Sequence, residues 1–459
     1  GEWLSQWKRQ FRALGIPVLR SPISAHPDPI DSEMLRLFTE ERKRRHNDAI
    51  DVDVGKSESF HGPYQVPTTA LFEEFCDSVV ARYDLVSSVC QGSVRRILPI
   101  ASTSIGSRNI PNNHRDLHWF ELLLEDGRRV IARNVVVAIG SLNSPTMPFW
   151  AEDARERYTG VPGAMDTLLH SNDVIACSES LDGGLNLTSG LSRQRMLVIG
   201  SGLTAGHLAL QALGSNPDMS VVIAARRDFV KRQFDLELKW MGTKRTNNLA
   251  EFWKCTTMEE RSSILKASKN GGSMTPQVLS DLERFEAMGR LEFRPNTEVL
   301  DAQWESSSEP KQGHWNVTFD YGETNDFDMI WCATGTTTDF RREPLFSDLC
   351  NYRDCSGKGI QVVGGLPVVT EDLRVHDDLN VFVTGNYAAL RVGPGALNLM
   401  GGRAAASRIV HGLGLGLRAA SSETTWNARI NSRKNRGRMC PRSSRSASGH
   451  IMRHQERKF

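Results

Sequence analysis

The chain has no apolar run that approaches the length of a membrane span, so nothing in it reads as a transmembrane helix. It has no C-x-x-C pair, and its eight cysteines are scattered. That pattern argues against a disulfide framework and suits reduced thiols in a cytoplasmic protein. Neither a nucleophile triad nor a metal-ligating cluster is read in the chain. An excess of one charge is lacking too: 56 Lys and Arg face 54 Asp and Glu, a net charge of +2. The balance hides a local bias. Residues 412–459 carry 11 Lys and Arg against two acids and little apolar periodicity. They read as a basic, disordered tail, with no nucleic-acid partner expected. At 459 residues, 39% hydrophobic and 24% charged, the chain has room for two or three globular domains.

The strongest positive signal is the run Met196 to Gly206. Four apolar residues, enough for a strand, lead into Gly200-Ser201-Gly202, and helical apolar spacing follows from Leu203 to Leu213. In this context a G-x-G-x-x-small pattern points to a dinucleotide. Gly200 permits the tight turn, Gly202 lets backbone approach a pyrophosphate, and Ala205 lets the helix pack close to the strand. Ser201 and Thr204 share that turn. The phosphates would sit at the helix N-terminus, where free N–H groups favour negative charge. The partner strand, Ser220 to Ala225, ends in Arg226-Arg227 before Asp228. Two guanidinium groups ahead of the acid favour a 2′-phosphate, hence NADPH over NADH; solvated surface arginines are the alternative.

Two segments echo each other. His118-Trp119-Phe120-Glu121-Leu122 leads through Asp126-Gly127 to Asn134–Gly140, and His314-Trp315-Asn316-Val317-Thr318 leads through Tyr321-Gly322 to Asp328–Gly335. Each reads as a strand, a Gly turn and a more apolar strand ending in Gly. In the later copy the phosphate loop lies 135 positions upstream of Gly335; the same step from Gly140 reaches residue 5, where no G-x-G-x-x-G occurs. The sequence therefore reads as a fragment lacking its first strand, turn and much of a helix, or else as a protein that has lost one nucleotide site.

Elsewhere, residues 41–57 read as a charged surface loop, Pro67–Tyr83 as a helix with Pro67 in its first turn, and 178–194 as a linker. Strands are expected at Ile360–Val363 and Asn380–Gly385, and a last helix over Ala396–Leu413, started by Gly393-Pro394-Gly395. Its N-terminus would face an anionic group such as a reduced isoalloxazine.

Together these features resemble the two-dinucleotide flavoproteins, above all the flavin-containing and N-hydroxylating monooxygenases, and are also similar to the oxidative-stress-induced growth-inhibitor proteins. Gly140-Ser141 with Pro145 and Pro148 resembles the family's first A-T-G crossing, Ala333-Thr334-Gly335 is the second in full, and His170-Ser171 resembles its His-Ser pair. Thr384-Gly385 and Gly393, Pro394, Gly395 and Asn398 resemble its flavin-contacting end. The resemblance implies an α/β fold in which an NAD(P)-binding Rossmann-like domain (190–330) is inserted into a split FAD-binding domain (1–185 and 331–411), with the tail at 412–459. It implies FAD and NADPH as cofactors, O2 and a small molecule as substrates, and oxygenation of a nitrogen or sulfur nucleophile through a peroxyflavin. Cofactor contacts fall on Gly200, Ser201, Gly202, Thr204, Ala205, Arg226, Arg227, Gly140, Thr334, Gly335, Gly385, Gly393, Pro394, Gly395 and Asn398. His170 is a catalytic candidate, or a structural histidine. Cys350 and Cys355 have the C-x4-C spacing of some disulfide-reducing flavoenzymes, but in a polar stretch after the second hairpin. The first fingerprint is absent, the Baeyer–Villiger signature is not met at Ala164 and Asp166, and Gly271–Pro276 has no assigned role. A flavin reductase without oxygen transfer, or a regulatory protein that keeps only the fold, are the other readings.

Overall fold

A computed structural model describes residues 2–41, 48–54, 64–100, 119–140, 144–177, 194–242, 244–269, 271–307 and 313–414. The linker expected at 178–194 lies outside them save for Gln194, as do His118, Ser141 and the tail beyond 414. The chain divides into a unit of residues 1–409 and a second of 410–459. Among the described residues no helix is long and apolar enough to cross a membrane.

The N-terminal part holds α1 (Ser5–Ala13), α2 (Met34–Glu41), the antiparallel pair β1 (Ala49–Val52) and β2 (Tyr64–Pro67), and α3 (Thr69–Arg82). Two expectations shift here. Residues 49–52 form a strand within the supposed loop, because Ile50 pairs with the buried Val66. Pro67 closes β2, and Thr68 starts the helix by accepting the Leu71 N–H on its side chain.

Next comes a meander, β3 (Val94–Ile100), β4 (Trp119–Leu124) and β5 (Arg129–Ala132), which leads into β6 (Val135–Val137). Then follow α4 (Phe149–Arg157), α5 (Ala164–Thr167), β7 (Leu168–His170) and α6 (Ser171–Cys177). The fingerprint region supplies β8 (Gln194–Ile199), α7 (Leu203–Ser215) and β9 (Met219–Ala224). After it stand β10 (Val230–Lys231), α8 (Arg245–Lys254), α9 (Met258–Ser268), β11 (Ser273–Met274), α10 (Pro276–Ala287) and β12 (Leu291–Arg294). A second meander, β13 (Val299–Ser306), β14 (Gly313–Phe319) and β15 (Thr324–Phe327), feeds β16 (Met329–Cys332).

The central sheet has the order β12-β9-β8-β16-β7 and is parallel throughout. A parallel strand must be covered on both faces, which is why these strands are apolar at successive positions. Met196, Val198, Val221, Ile223 and Trp331 pack with α7 and α10 on one face. Leu197, Val222, Ala224, Ile330 and Cys332 pack with α4 and the second meander on the other, around the fully buried Trp315. Trp315 Nε1 donates to Thr167 Oγ1 at 2.9 Å. β7 pairs with β16, and Ala151 and Ala154 enter the same core.

The two echoing segments occupy equivalent places. Each is the middle of a three-stranded meander that hands the chain to a parallel strand, and each strand ends at a left-handed glycine, Gly140 (φ 69°) and Gly335 (φ 81°). Each copy has four strands, two more than the sequence suggested. One edge of β16 carries β8 and the other β7, whereas β6 carries only β20 (Leu379–Val383) among the described residues. Val136 is accordingly 47% exposed, against 3% for its counterpart Trp331.

Before β20 stand α11 (Ser347–Cys350), the short pair β17 (Val362–Val363) and β18 (Leu366–Pro367), and β19 (Arg374–His376). After it come α12 (Ala389–Val392) and α13 (Leu399–Gly412). The last helix does not start at the Gly-Pro-Gly turn. That turn ends α12, and Asn398 begins α13 by accepting the Gly401 N–H on Oδ1 at 3.1 Å.

Candidate active site

A cavity of about 1080 Å³ lies at the C-terminal ends of β8, β9 and β16, where open α/β sheets bind their ligands. Gly200, Ser201, Gly202, Thr204, Arg226, Arg227, Thr334 and Gly335 all line it. Gly200 has φ 139°, and a Cβ there would lie 2.5 Å from Ala333 O, so this position requires glycine. Gly202 begins α7 without a side-chain cap, and the first turn of α7 contains no acid. The N–H groups of that turn are left for a ligand, and the dipole favours an anion. Ala205 is fully buried in the core and does not line the cavity. The close approach falls one residue on, where a Cβ on Gly206 would sit 2.6 Å from Val278 Cγ1 of α10.

Arg226 and Arg227 follow β9, are exposed, and bond to no carboxylate among the described residues. Asp228 turns away: it accepts from Asn296 Nδ2 at 2.7 Å and is not in the cavity wall. The rim where β9 ends therefore presents two guanidinium groups, with Glu298 in the same cavity wall.

The turn at Thr334-Gly335 is fixed from two sides. Thr146 N–H donates to Gly335 O at 3.0 Å, and Thr334 Oγ1 donates to Thr146 O. His170 Nε2 lies 3.1 Å from the same Gly335 oxygen, while its Nδ1 accepts the Asn172 N–H at 3.1 Å. That pattern assigns the neutral tautomer with the proton on Nε2. His170 is 1% exposed, and burial holds its pKa below the usual histidine value. Both ring nitrogens are engaged with backbone and the ring is outside the cavity wall. His170 thus buttresses the turn.

The other expected contacts separate. Gly393, Pro394, Gly395 and Asn398 line a second space of about 50 Å³, room for a water or two, together with Asp235 and Lys269. Gly385 (φ 62°) and Gly140 end their strands and line neither space. Asp235 borders both spaces, joining the Gly200 cavity to the Gly-Pro-Gly turn. Cys350 and Cys355 are free thiols outside both.

Sequence reasoning missed several wall residues. Met147, Trp150 and Val299 give the large cavity an apolar side, and Phe149, 87% exposed, also lines it. Arg20 reaches it from the N-terminal part. The turn Gly271-Gly272-Ser273, conspicuous but unassigned, is also in its wall.

Residues 110–338 match the family model described as L-lysine 6-monooxygenase/L-ornithine 5-monooxygenase. No curated protein sequence matches the chain. Among solved structures it is similar to the ornithine hydroxylase of Pseudomonas aeruginosa, at 15% identity and TM-score 0.59 over 90% of this chain and 89% of that one. It is similar to the ornithine N-hydroxylase of Kutzneria sp. 744 with reduced FAD, NADP+ and L-ornithine, at 17% identity and TM-score 0.57 over 88% and 89%. The L-lysine 6-monooxygenase of Pseudomonas syringae gives 19% identity and TM-score 0.55 over 89% and 88%. At these identities the likeness establishes the two-dinucleotide-domain α/β fold.

Proposed function

We propose that the chain is a member of the superfamily of FAD- and NAD(P)-binding flavoprotein monooxygenases, and that it is an NADPH-dependent monooxygenase that hydroxylates the nucleophilic nitrogen of a small amine. One observation carries this reading. A nucleotide-sized cavity joins a glycine turn at a helix N-terminus to two unpaired arginines, with the neighbouring acid turned away.

On this reading the turn Gly200–Gly202 and the first turn of α7 hold the nicotinamide nucleotide's diphosphate through backbone N–H groups. Arg226 and Arg227 take the 2′-phosphate. The Thr334-Gly335 turn, locked by Thr146 and His170, walls the cavity where β16 ends. Met147, Trp150 and Val299 keep that side dry, which strengthens each polar contact made inside. The contacts to FAD fall on Gly140, Gly385, Gly393, Pro394, Gly395 and Asn398. FAD, when bound, supplies the hydride acceptor and the activation of O2. The nicotinamide unit is the segment 190–330, and the flavin unit combines 1–185 and 331–411 around it. The cytoplasm, where NADPH and free thiols coexist, is the compartment this chemistry suits.

The test is to supply the purified chain with FAD and NADPH and offer ornithine and lysine in turn. Amine-dependent NADPH oxidation with hydroxylamine product supports the proposal. NADPH oxidation that yields no hydroxylated product with either amine identifies a reductase, and absence of both activities identifies a protein that keeps only the fold.

A further inference from the structure

The turn Gly271-Gly272-Ser273 lies against the phosphate loop although 69 residues separate Gly202 from Gly271. A Cβ placed on Gly272 would be 3.0 Å from Ser201 Oγ, and one on Gly202 would be 3.6 Å from Gly272 Cα. Both turns line the one cavity. Gly272 is left-handed (φ 77°), and neither the Gly271 nor the Gly272 amide is bonded among the described residues. Successive free amides of this kind make a concave anion seat.

Arg20 holds this turn from the far side of the sequence. Its Nε donates to Gln233 O at 2.7 Å, and its NH2 group donates to Arg232 O at 3.0 Å and to Ser273 Oγ at 2.7 Å. Its NH1 group reaches Ser273 O at 3.4 Å. The guanidinium is half-buried, lines the cavity, and has no carboxylate bonded to it. A planar fork satisfied by carbonyl and hydroxyl oxygens keeps its whole positive charge. It thus places a cation beside the two turns, with the Asp235 carboxylate of the same cavity wall acting on it.

Resting on the nucleotide reading above, we propose that the Gly271-Gly272-Ser273 turn, positioned by Arg20, is the second wall of the diphosphate site. The diphosphate is then gripped from two sides, by the fingerprint turn and by this one, while the 2′-phosphate is read separately at Arg226 and Arg227. Arg20 acts as a positioning residue, and Ser273 passes its hold to the turn.

The test compares two probes by calorimetry on the full chain: NADP+, which has both phosphate groups, and adenosine 2′-monophosphate, which lacks the diphosphate. Arg20→Lys and Ser273→Ala are the variants, each checked for an unchanged melting temperature. Arg20→Lys keeps a cation but loses the fork, and Ser273→Ala removes one acceptor with little change of shape. The expected result is NADP+ binding weakened about tenfold in Arg20→Lys, with adenosine 2′-monophosphate binding unchanged. Equal weakening of both probes, or of neither in both variants, overturns the second wall. If the unaltered chain binds neither probe, the nucleotide reading itself fails, and the second wall with it.

Discussion

At the scale of single residues, charge placement decides cofactor choice. Arg226 and Arg227 stand free at the rim where β9 ends, and Asp228 is held by Asn296. Replacing both arginines by alanine should raise the KM for NADPH at least tenfold, the scale of charge-assisted hydrogen bonds lost, and leave that for NADH nearly unchanged. Steady-state kinetics with both nucleotides checks this, and an unchanged NADPH preference would remove the arginines from the account. His207 makes a second residue-scale prediction. It is buried on α7, and desolvation alone lowers its pKa to about 4. The unfolded chain therefore binds a proton near pH 6.5 that the folded chain refuses. Its stability contribution is complete above pH 6.5 and is lost as pH falls towards 4. His170 and His26, both shifted downward chiefly by burial, act in the same direction. Urea midpoints between pH 7.5 and 5 should fall with acidification, and less steeply in His207→Gln.

At the scale of elements, the two tryptophans of the repeated meanders separate packing from pattern. Trp315 is fully buried between α4, α5 and the sheet, whereas Trp119 is half-buried with Arg133 over its ring. Trp315→Ala should cost ~3–5 kcal/mol of stability, as large buried aromatics do. Trp119→Ala should cost clearly less, and denaturant titration of both variants is the comparison. Elements set by continuous apolar runs were legible in the sequence: β8, α7 and β9 fall within two residues of their expected places, and β16 starts one residue later and ends three residues earlier than expected. Elements set by a single polar cap were not. Thr68 and Asn398 begin α3 and α13 through side-chain bonds, and neither stands out beside the Pro and Gly that seemed to mark those starts. The site divides the same way. Residues within the fingerprint and the A-T-G turn were readable because their spacing is local. Arg20 and Gly272 were not, because only the fold brings residues so far apart in sequence to one cavity.

At the scale of the whole molecule, two similar modules bear different loads. The later one carries a phosphate loop, a five-stranded parallel sheet and a cavity of about 1080 Å³. The earlier one contributes β6, β20 and the Gly-Pro-Gly turn, whose enclosed space is far smaller. Asp235 lines both spaces. The central claim is that the nicotinamide nucleotide lies across the ends of β8, β9 and β16. A crystal structure of the chain soaked with NADP+ tests it most directly. Density is expected along that cavity, with the diphosphate over Gly200–Gly202 and the 2′-phosphate within hydrogen-bonding reach of Arg226 or Arg227. Density elsewhere on the molecule, with this cavity left to solvent, would contradict it.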